Sequence, residues 1–289
     1  ELILLDYKNI IDKIIHTEFK NVSTARNLGL IAASGEVVLY LDDDVIPSEK
    51  WLKHHLQAHQ QGGKQCGCVA GVVADCTQSN TPIQFARGVS SRLSESRPVL
   101  SKVAQQRYLT NSYWFPAVMG ANASYKREAL LKVGGFDEFF EYFLEETDIC
   151  LRLLEVGYQV HHLDVAVEHY VQPSHNRHDR IHLTCWYSLA KNTVYFALKH
   201  RKASIYAPLF WLRLGRLLIY RCWLRILRLK WTHGLSNQLL WQYLKESVVG
   251  IKDGVWAGLQ SKAPHCEGSG EQRAEKNDDV VAARAIWVK

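Results

Sequence analysis

The chain has 289 residues, 47% hydrophobic and 22% charged, enough apolar surface for one large core, and this composition excludes a disordered chain. The net charge of +6 is uneven, with Arg and Lys concentrated between Arg177 and Lys230, which suits an anionic surface such as phospholipid or nucleic acid. Seven irregularly spaced cysteines read as reduced cytoplasmic thiols and not as a disulfide framework, and no run of about 18 apolar residues predicts a membrane-spanning helix.

The chain opens at Glu1 without an initiator Met, already inside a strand-like run, so a fragment is expected, with any targeting segment out of view. Glu1 to Asp6 reads as a short strand ending in an acid, and an irregular connection leads to Lys20. Asn21 to Ser34 has helical spacing at Ala25, Leu28, Ile31 and Ala32, with Ser23 or Thr24 as cap. Val37 to Pro47 (VVLYLDDDVIP) organises the rest. Its apolar half predicts a strand buried on both faces of a parallel sheet, so Asp42, Asp43 and Asp44 emerge at its carboxyl end, where open α/β sheets bind ligands. Three adjacent carboxylates repel one another unless a cation lies between them, and a divalent cation holding a phosphate answers that repulsion. The competing reading is a solvated acidic turn before a helix begun by Pro47, Ser48 and Glu49.

A helix over Ser48 to Gln61 stops at Gly62-Gly63, and Cys66 to Ala74 reads as a strand. Asp75 to Tyr113 is polar and weakly periodic, which predicts loops with short elements. A tight apolar segment (Trp114 to Tyr125) precedes a helix over Lys126 to Val133, ended by Gly134-Gly135. Leu144 to Val156 predicts a mostly buried helix with Glu145, Glu146 and Asp148 in its first turn, and Tyr158 to Tyr170 a strand that carries His169 near its end. Ile181 to Leu259 reads as helical, and Lys262 to Asp279 as a disordered polar tail. Within Ile205 to Trp231, Arg213, Arg216, Arg221, Arg225 and Arg228 fall within half of an ideal helical circumference and leave an apolar, Trp-bearing face. That predicts a helix lying in a membrane interface, against an ordinary amphipathic helix packed on the domain with its arginines outside. His54, His55, His59, Cys66 and Cys68 are zinc-ligand types at spacings that fit no compact zinc motif. No nucleic-acid-binding motif accompanies the basic block.

Four blocks in this order, NVSTARNLGLIAASG (from Asn21), VVLYLDDDVIP (from Val37), GANASYKREALLKVGGFDE (from Gly120) and EETDICLRLLEVGYQVHHLDVAVEH (from Glu145), resemble family 2 glycosyltransferases of the GT-A fold over roughly residues 1–170. The resemblance implies a Rossmann-like mixed sheet flanked by helices (residues 1–175, first strand missing), and the residues after it read as a helical membrane-associating extension (176–260) and a tail (261–289). Together they lead to the expectation of an inverting transfer of sugar from a nucleotide-diphosphate donor to a hydroxyl of a lipid-linked or polysaccharide acceptor, at the inner face of the cell membrane. The DxD-type position falls on Asp42 and Asp44, with Asp44 the direct ligand of Mg or Mn, Asp42 nearer the nucleotide, and His169 approaching the metal. Asp6, Arg26, Asn27, Asp42 and Asp43 are implied around the nucleotide. The family's acidic pair, usually Glu-Asp, falls on Glu145-Glu146 and makes Glu146 the catalytic base, with Glu145 or Asp148 able to share the work. Two other readings stay open: an aspartyl-phosphate-forming phosphatase, since LYLDDDVI also looks like a strand ending in an Asp-x-Asp nucleophile, and a non-catalytic sugar-nucleotide-binding module.

Overall fold

The computed structural model describes residues 11–77, 80, 82–178 and 182–261, and the backbone of 285–288. Asp6, the expected strand over 1–6 and the tail over 262–279 lie outside the described residues. Strand β1 (Ile11–Ile15) lies within the stretch read as an irregular connection and pairs in parallel with a strand at Ala285–Val288. Helix α1 (Val22–Ala32) follows, capped by Asn21, whose Oδ1 accepts from the amides of Ser23 (2.9 Å) and Thr24 (3.2 Å). Ser23 and Thr24 are therefore inside the first turn, and their hydroxyls reach across to Phe140 O and Glu138.

The main sheet runs β2 (Val37–Tyr40), β9 (Ala123–Lys126), β4 (Cys66–Asp75), β10 (Gln159–His169), β3 (Val45–Pro47), with β5 (Ile83–Phe85) added to β4. Among the described residues of this sheet, only β4 and β10 pair in parallel; its other pairings are antiparallel. The organising strand β2 thus departs from expectation. It pairs antiparallel with β9, at one end of the described path, and is mostly half-buried. The mixed sheet flanked by helices, with a helical extension after it, is the architecture the resemblance implies. Leu30 of α1, Tyr125, Phe136 and the buried face of α5 (Glu145–Glu155) close its core on one side.

On the other side α2 (Trp51–Gly62) is held by a polar network. His55 contacts Ser124 Oγ (2.7 Å) and Asn122 Oδ1 (3.0 Å), while His59 contacts Ser124 Oγ (3.0 Å) and Cys66 Sγ (3.4 Å). Burial pushes both imidazoles down to about 4, so they pack as neutral hydrogen-bonding rings. The stretch expected to be mostly loops contains β6 (Arg87–Ser91), β7 (Ser96–Val99) and α3 (Lys102–Leu109), and β6 joins β7 and β8 (Trp114–Ala117) in a second sheet. β6, RGVSS, is buried throughout, yet no hydrophobic period marks it, because its serines are satisfied locally: Ser90 Oγ donates to Glu95 O and Ser91 Oγ to Glu95 Oε2.

The extension packs as α6 (Trp186–Lys199), α7 (Pro208–Leu218), a π-helical turn (Ile219–Trp223), α8 (Leu224–Thr232) and α9 (Asn237–Gln260). From α7 to α8 a stripe of Phe210, Leu214, Leu218, Cys222, Ile226 and Leu229 is buried. Steps of four residues drift by about 40° per step around a 3.6-residue helix. The wider π turn takes up that drift and keeps the stripe facing inward. It also breaks the expected single face of arginines. Arg221 turns inward to Ser94 O (2.6 Å) and Thr193 Oγ1 (3.1 Å), Arg225 is half-buried, and Arg213, Arg216 and Arg228 remain exposed. No helix among the described residues is long and apolar enough to cross a membrane.

α6 and α9 meet backbone to backbone. A Cβ on Gly254 would run into the Lys191 carbonyl oxygen and lie 3.1 Å from Val194 Cβ, whereas one on Gly215, mid-helix in α7, would meet nothing within 4 Å. Helix propensity favours alanine over glycine by about 1 kcal/mol, while overpacking costs typically 1–3 kcal/mol or more. Denaturant unfolding should therefore show Gly215→Ala stabilising by up to about 1 kcal/mol and Gly254→Ala net destabilising by about 1–2 kcal/mol.

Candidate functional site

Two groups of side chains gather beyond the ends of the central strands, with Asp42 between them. The first forms around Arg26. Its helix, α1, packs under the turn that carries Phe136, and the guanidinium lies 5.4 Å from the Phe136 ring centre and 6.0 Å from that of Tyr40. Its Nη1 donates to Glu145 Oε1 (3.2 Å) and Glu146 Oε1 (3.1 Å), and Nη2 stands 3.9 Å from Asp42 Oδ1. Gly120 closes this group. Its amide donates to Glu146 Oε1 (3.1 Å), and a Cβ there would overlap both Glu146 Oε1 and Arg26 Nη2. Only glycine lets the backbone come so near.

One guanidinium faces three carboxyl groups, Glu145 buried, Glu146 half-buried and Asp42 on the open side. Burial disfavours the Arg26 charge, but Glu146, Glu145 and Asp42 outweigh it and raise its pKa. Glu145 is 4% exposed and moves the other way: burial first, and Glu146 second, hold its carboxyl well above the usual range against the pull of Arg26. Burial likewise raises Asp42, opposed by Arg26 and by the more distant His169, and reinforced by Glu146 and Asp44.

The second group is Asp44 and His169. Antiparallel pairing of β3 with β10 sets Val45 opposite His169, and Tyr170 N donates to Asp44 O (2.8 Å), so two residues far apart in sequence become neighbours. His169 Nδ1 is 2.7 Å from Gln84 Oε1. Nε2 is buried without an aligned hydrogen-bond partner, yet lies 3.1 Å from Asp44 Oδ1. Burial works to raise the Asp44 carboxyl, but His169, the Gln172 amide and Arg177 lower it on balance, so it is an anion. A carboxylate oxygen and an imidazole nitrogen placed this way are ligand types that one divalent cation can share. Among the described residues no three His, Cys, Asp or Glu side chains form a ready metal cage.

Residues 3–134 match the family described as "Glycosyl transferase family 2", and residues 102–176 match the one described as "N-terminal domain of galactosyltransferase". The α/β region belongs to glycosyltransferase family 2. Relatives include the pre-mycofactocin glycosyltransferase of Mycobacterium tuberculosis, 29% identical over 164 residues (54% of this chain, 31% of the relative). Another is the glucosyl-dolichyl phosphate glucuronosyltransferase of Haloferax volcanii, 24% identical over 168 residues (52% and 48%). The chain thus spans less than half the length of either. Partial structural likeness extends to GalNAc-T7 with UDP, GalNAc and Mn2+ (TM-score 0.45, 14% identity, 70% of this chain and 43% of that one). S. aureus TarS gives a TM-score of 0.41 at 11% identity, over 88% and 46%.

Within this family 2 region the residues implied around the nucleotide separate. Asp43 is exposed beside the site. Asn27 is engaged in the fold: its amide nitrogen donates to Phe136 O and Glu138 Oε1, and its oxygen accepts from the Phe136 amide, so it shapes the Gly-Gly-Phe-Asp-Glu turn. Arg26 Nη1 is taken up by Glu145 and Glu146. Asp148 is fully buried and bound by Arg152 (2.5 Å), Lys199 (2.7 Å) and His200 (2.7 Å). Burial opposes its charge, but Arg152, Lys199 and His200 hold its carboxyl far below the usual range, which suits an anchor and not a proton acceptor. Sequence reading missed Gln84 and the Gly120 amide; the only signal for the latter was the small-residue run Gly120-Ala121.

Replacing Arg26 by glutamine should cost on the order of 3–5 kcal/mol, because it strands buried carboxyls. Glu145, raised in the folded state, binds more protons folded than unfolded above its ordinary value of 4.5, so this group makes stability fall as pH rises through that window. Without Arg26 the rise in pKa grows. The penalty of Arg26→Gln, read by denaturant unfolding, should be larger at about pH 7.5 than at about pH 4.5.

Proposed function

We propose that the chain is an inverting, metal-dependent glycosyltransferase, moving a sugar from a nucleotide-diphosphate donor to a hydroxyl of a lipid-linked or polysaccharide acceptor on an anionic membrane surface at the inner face of the cell membrane. The observation that carries the reading is the meeting of His169 Nε2, buried and without an aligned hydrogen-bond partner, with Asp44 Oδ1 at 3.1 Å, on the same side of the sheet as the Glu145-Glu146 pair. Asp44 and His169 would hold Mg or Mn, with phosphate oxygens and water as the remaining ligands. The cation, when bound, neutralises charge that grows on the departing diphosphate. Asp42, between the two groups, is placed to face the nucleotide.

Glu146 is the base of this proposal. Its Oε1 is fixed by Arg26 and the Gly120 amide, which restrains a side chain one methylene longer than aspartate, and at 17% exposure it can be reached by an acceptor hydroxyl. Taking the proton from that hydroxyl as it attacks, on the face opposite the leaving group, gives direct displacement and inversion. Glu145 sits beside this base on the same Arg26 Nη1, and burial and Glu146 raise its carboxyl. A lipid-linked acceptor is in keeping with the relative named for glucosyl-dolichyl phosphate. The membrane reading is supported by the outward face of α7 and α8, where Leu212, Tyr220, Leu224 and Trp231 are exposed among Arg213, Arg216 and Arg228.

Calorimetric titration with uridine, guanosine and thymidine diphosphates should find one that binds only with Mn, and Asp44→Ala or His169→Ala should weaken it at least tenfold, about 1.4 kcal/mol. Glu146→Gln should keep that affinity and lower turnover of the nucleotide sugar by about 10²–10⁴. Mn-dependent binding without turnover in the unaltered chain would instead select the non-catalytic reading, and no binding at all would sink the donor site. Separately, the chain should sediment with vesicles containing phosphatidylserine and not with neutral ones, and lose that binding in high salt and in a Leu212→Ser, Trp231→Ala variant.

A further inference from the structure

The two acids of the site follow directly on a stretch of backbone that their own sequence does not favour. Phe143 (φ 73°) and Leu144 (φ 71°) both occupy the left-handed region, which side-chain-bearing residues avoid and where two large ones in succession need an outside restraint. Leu144 is also the N-cap of α5, caps it with no side-chain hydrogen bond, and its carbonyl accepts the first helical bond, from Asp148 N (2.8 Å). The direction in which Glu145 and Glu146 leave this turn is therefore set by a conformation held from elsewhere.

The restraint comes from α6. Asn192, fully buried, donates through Nδ2 to Tyr142 O (2.6 Å) and Phe143 O (3.1 Å). Around it, the same side of α6 grips the flanks of the turn: Lys191 pairs with Glu141 (3.3 Å), Tyr195 donates to Asp137 (2.8 Å), and Lys199 bridges Asp137 and Asp148 (2.7 Å each). Those contacts fix where the turn begins and ends. Asn192 is the α6 side chain that bonds the carbonyls of the turn itself, at the entry to and within its left-handed pair.

We infer that Asn192 is a positioning residue for Glu146, acting through the left-handed Phe143-Leu144 turn. The inference rests on the reading of Glu146 as base. With the amide removed, two half-buried carbonyls lose their donor and the left-handed backbone loses the bond that holds it. The first turn of α5 then shifts, and Glu146 leaves the place that Arg26 and Gly120 define. The donor-side pair, Asp44 and His169, hangs from β3 and β10 and does not depend on this turn.

The test compares the full chain with Asn192→Ala, Asn192→Asp (same shape, donors lost) and Asn192→Ala combined with Leu144→Gly, since glycine takes positive φ freely. Amide hydrogen exchange, Mn-dependent binding of the nucleoside diphosphate, and kcat and KM for its sugar nucleotide are measured on each. Both single variants should exchange at least tenfold faster over residues 144–149, with β4 unchanged, and lose at least tenfold in kcat, while KM and nucleotide affinity stay within about twofold. Leu144→Gly should recover most of both losses. Unchanged exchange at 144–149, an equal rise in β4, unaltered kcat, or no recovery by glycine would each overturn the inference. Full turnover in Glu146→Gln would sink the base assignment and this inference with it. Loss of turnover there beside normal turnover in Asn192→Ala sinks only the inference.

Discussion

The Arg26 guanidinium stands within reach of three carboxyl groups, with Glu145 buried and Asp42 on the open side, and much of the α/β region is arranged around that imbalance. Its three acidic neighbours favour its charge against burial, while burial and Glu146 raise the Glu145 carboxyl. The aromatic walls of Tyr40 and Phe136 exclude solvent and strengthen every interaction inside. The glycine at position 120 follows from the same crowding, since its amide serves as a further donor where no side chain would fit.

A pocket of this kind is useful only if its acids are aimed, and aiming is the work of parts distant in sequence. Asn27 shapes the turn after Gly135 from below, and α6 holds the segment from Asp137 to Asp148 from above. The helical extension is thereby joined to the α/β region by buried ion pairs that cross the boundary expected near residue 176. Its outer surface, basic and aromatic, faces away from those bonds. In the proposed reading one set of helices presents a surface to a membrane and steadies the acidic pair at the same time.

The ordered pieces with strong periodicity were legible from residues alone. The helix over Trp51–Gly62, the strand Cys66–Asp75, the helix Glu145–Glu155 and the strand Gln159–His169 stand within a few residues of expectation, because each carries either a regular apolar spacing or a glycine stop. What escaped was polar and buried. β6 is a strand of serines satisfied by a neighbouring turn, and the inward Arg221 depends on a π-helical turn that no ideal helical wheel contains. Zinc-like histidines proved to be neutral rings bonded to Ser124, Asn122 and Cys66.

By itself the sequence determined the family, through the order and spacing of its four blocks, and the acidic character of the site, through Asp42-Asp43-Asp44 and Glu145-Glu146. Those are properties of local runs, and local runs survive in one dimension. Only the tertiary structure decided which acids gather on Arg26, which one is an anchor, and that His169 meets Asp44. Each of these depends on burial and on partners from other strands or helices: β10 for Asp44, α1 for Glu146, α6 for Asp148. Charge state in a partly buried pocket is fixed by the groups that happen to meet there, and their meeting is set by strand pairing and helix packing, which no single stretch of chain contains.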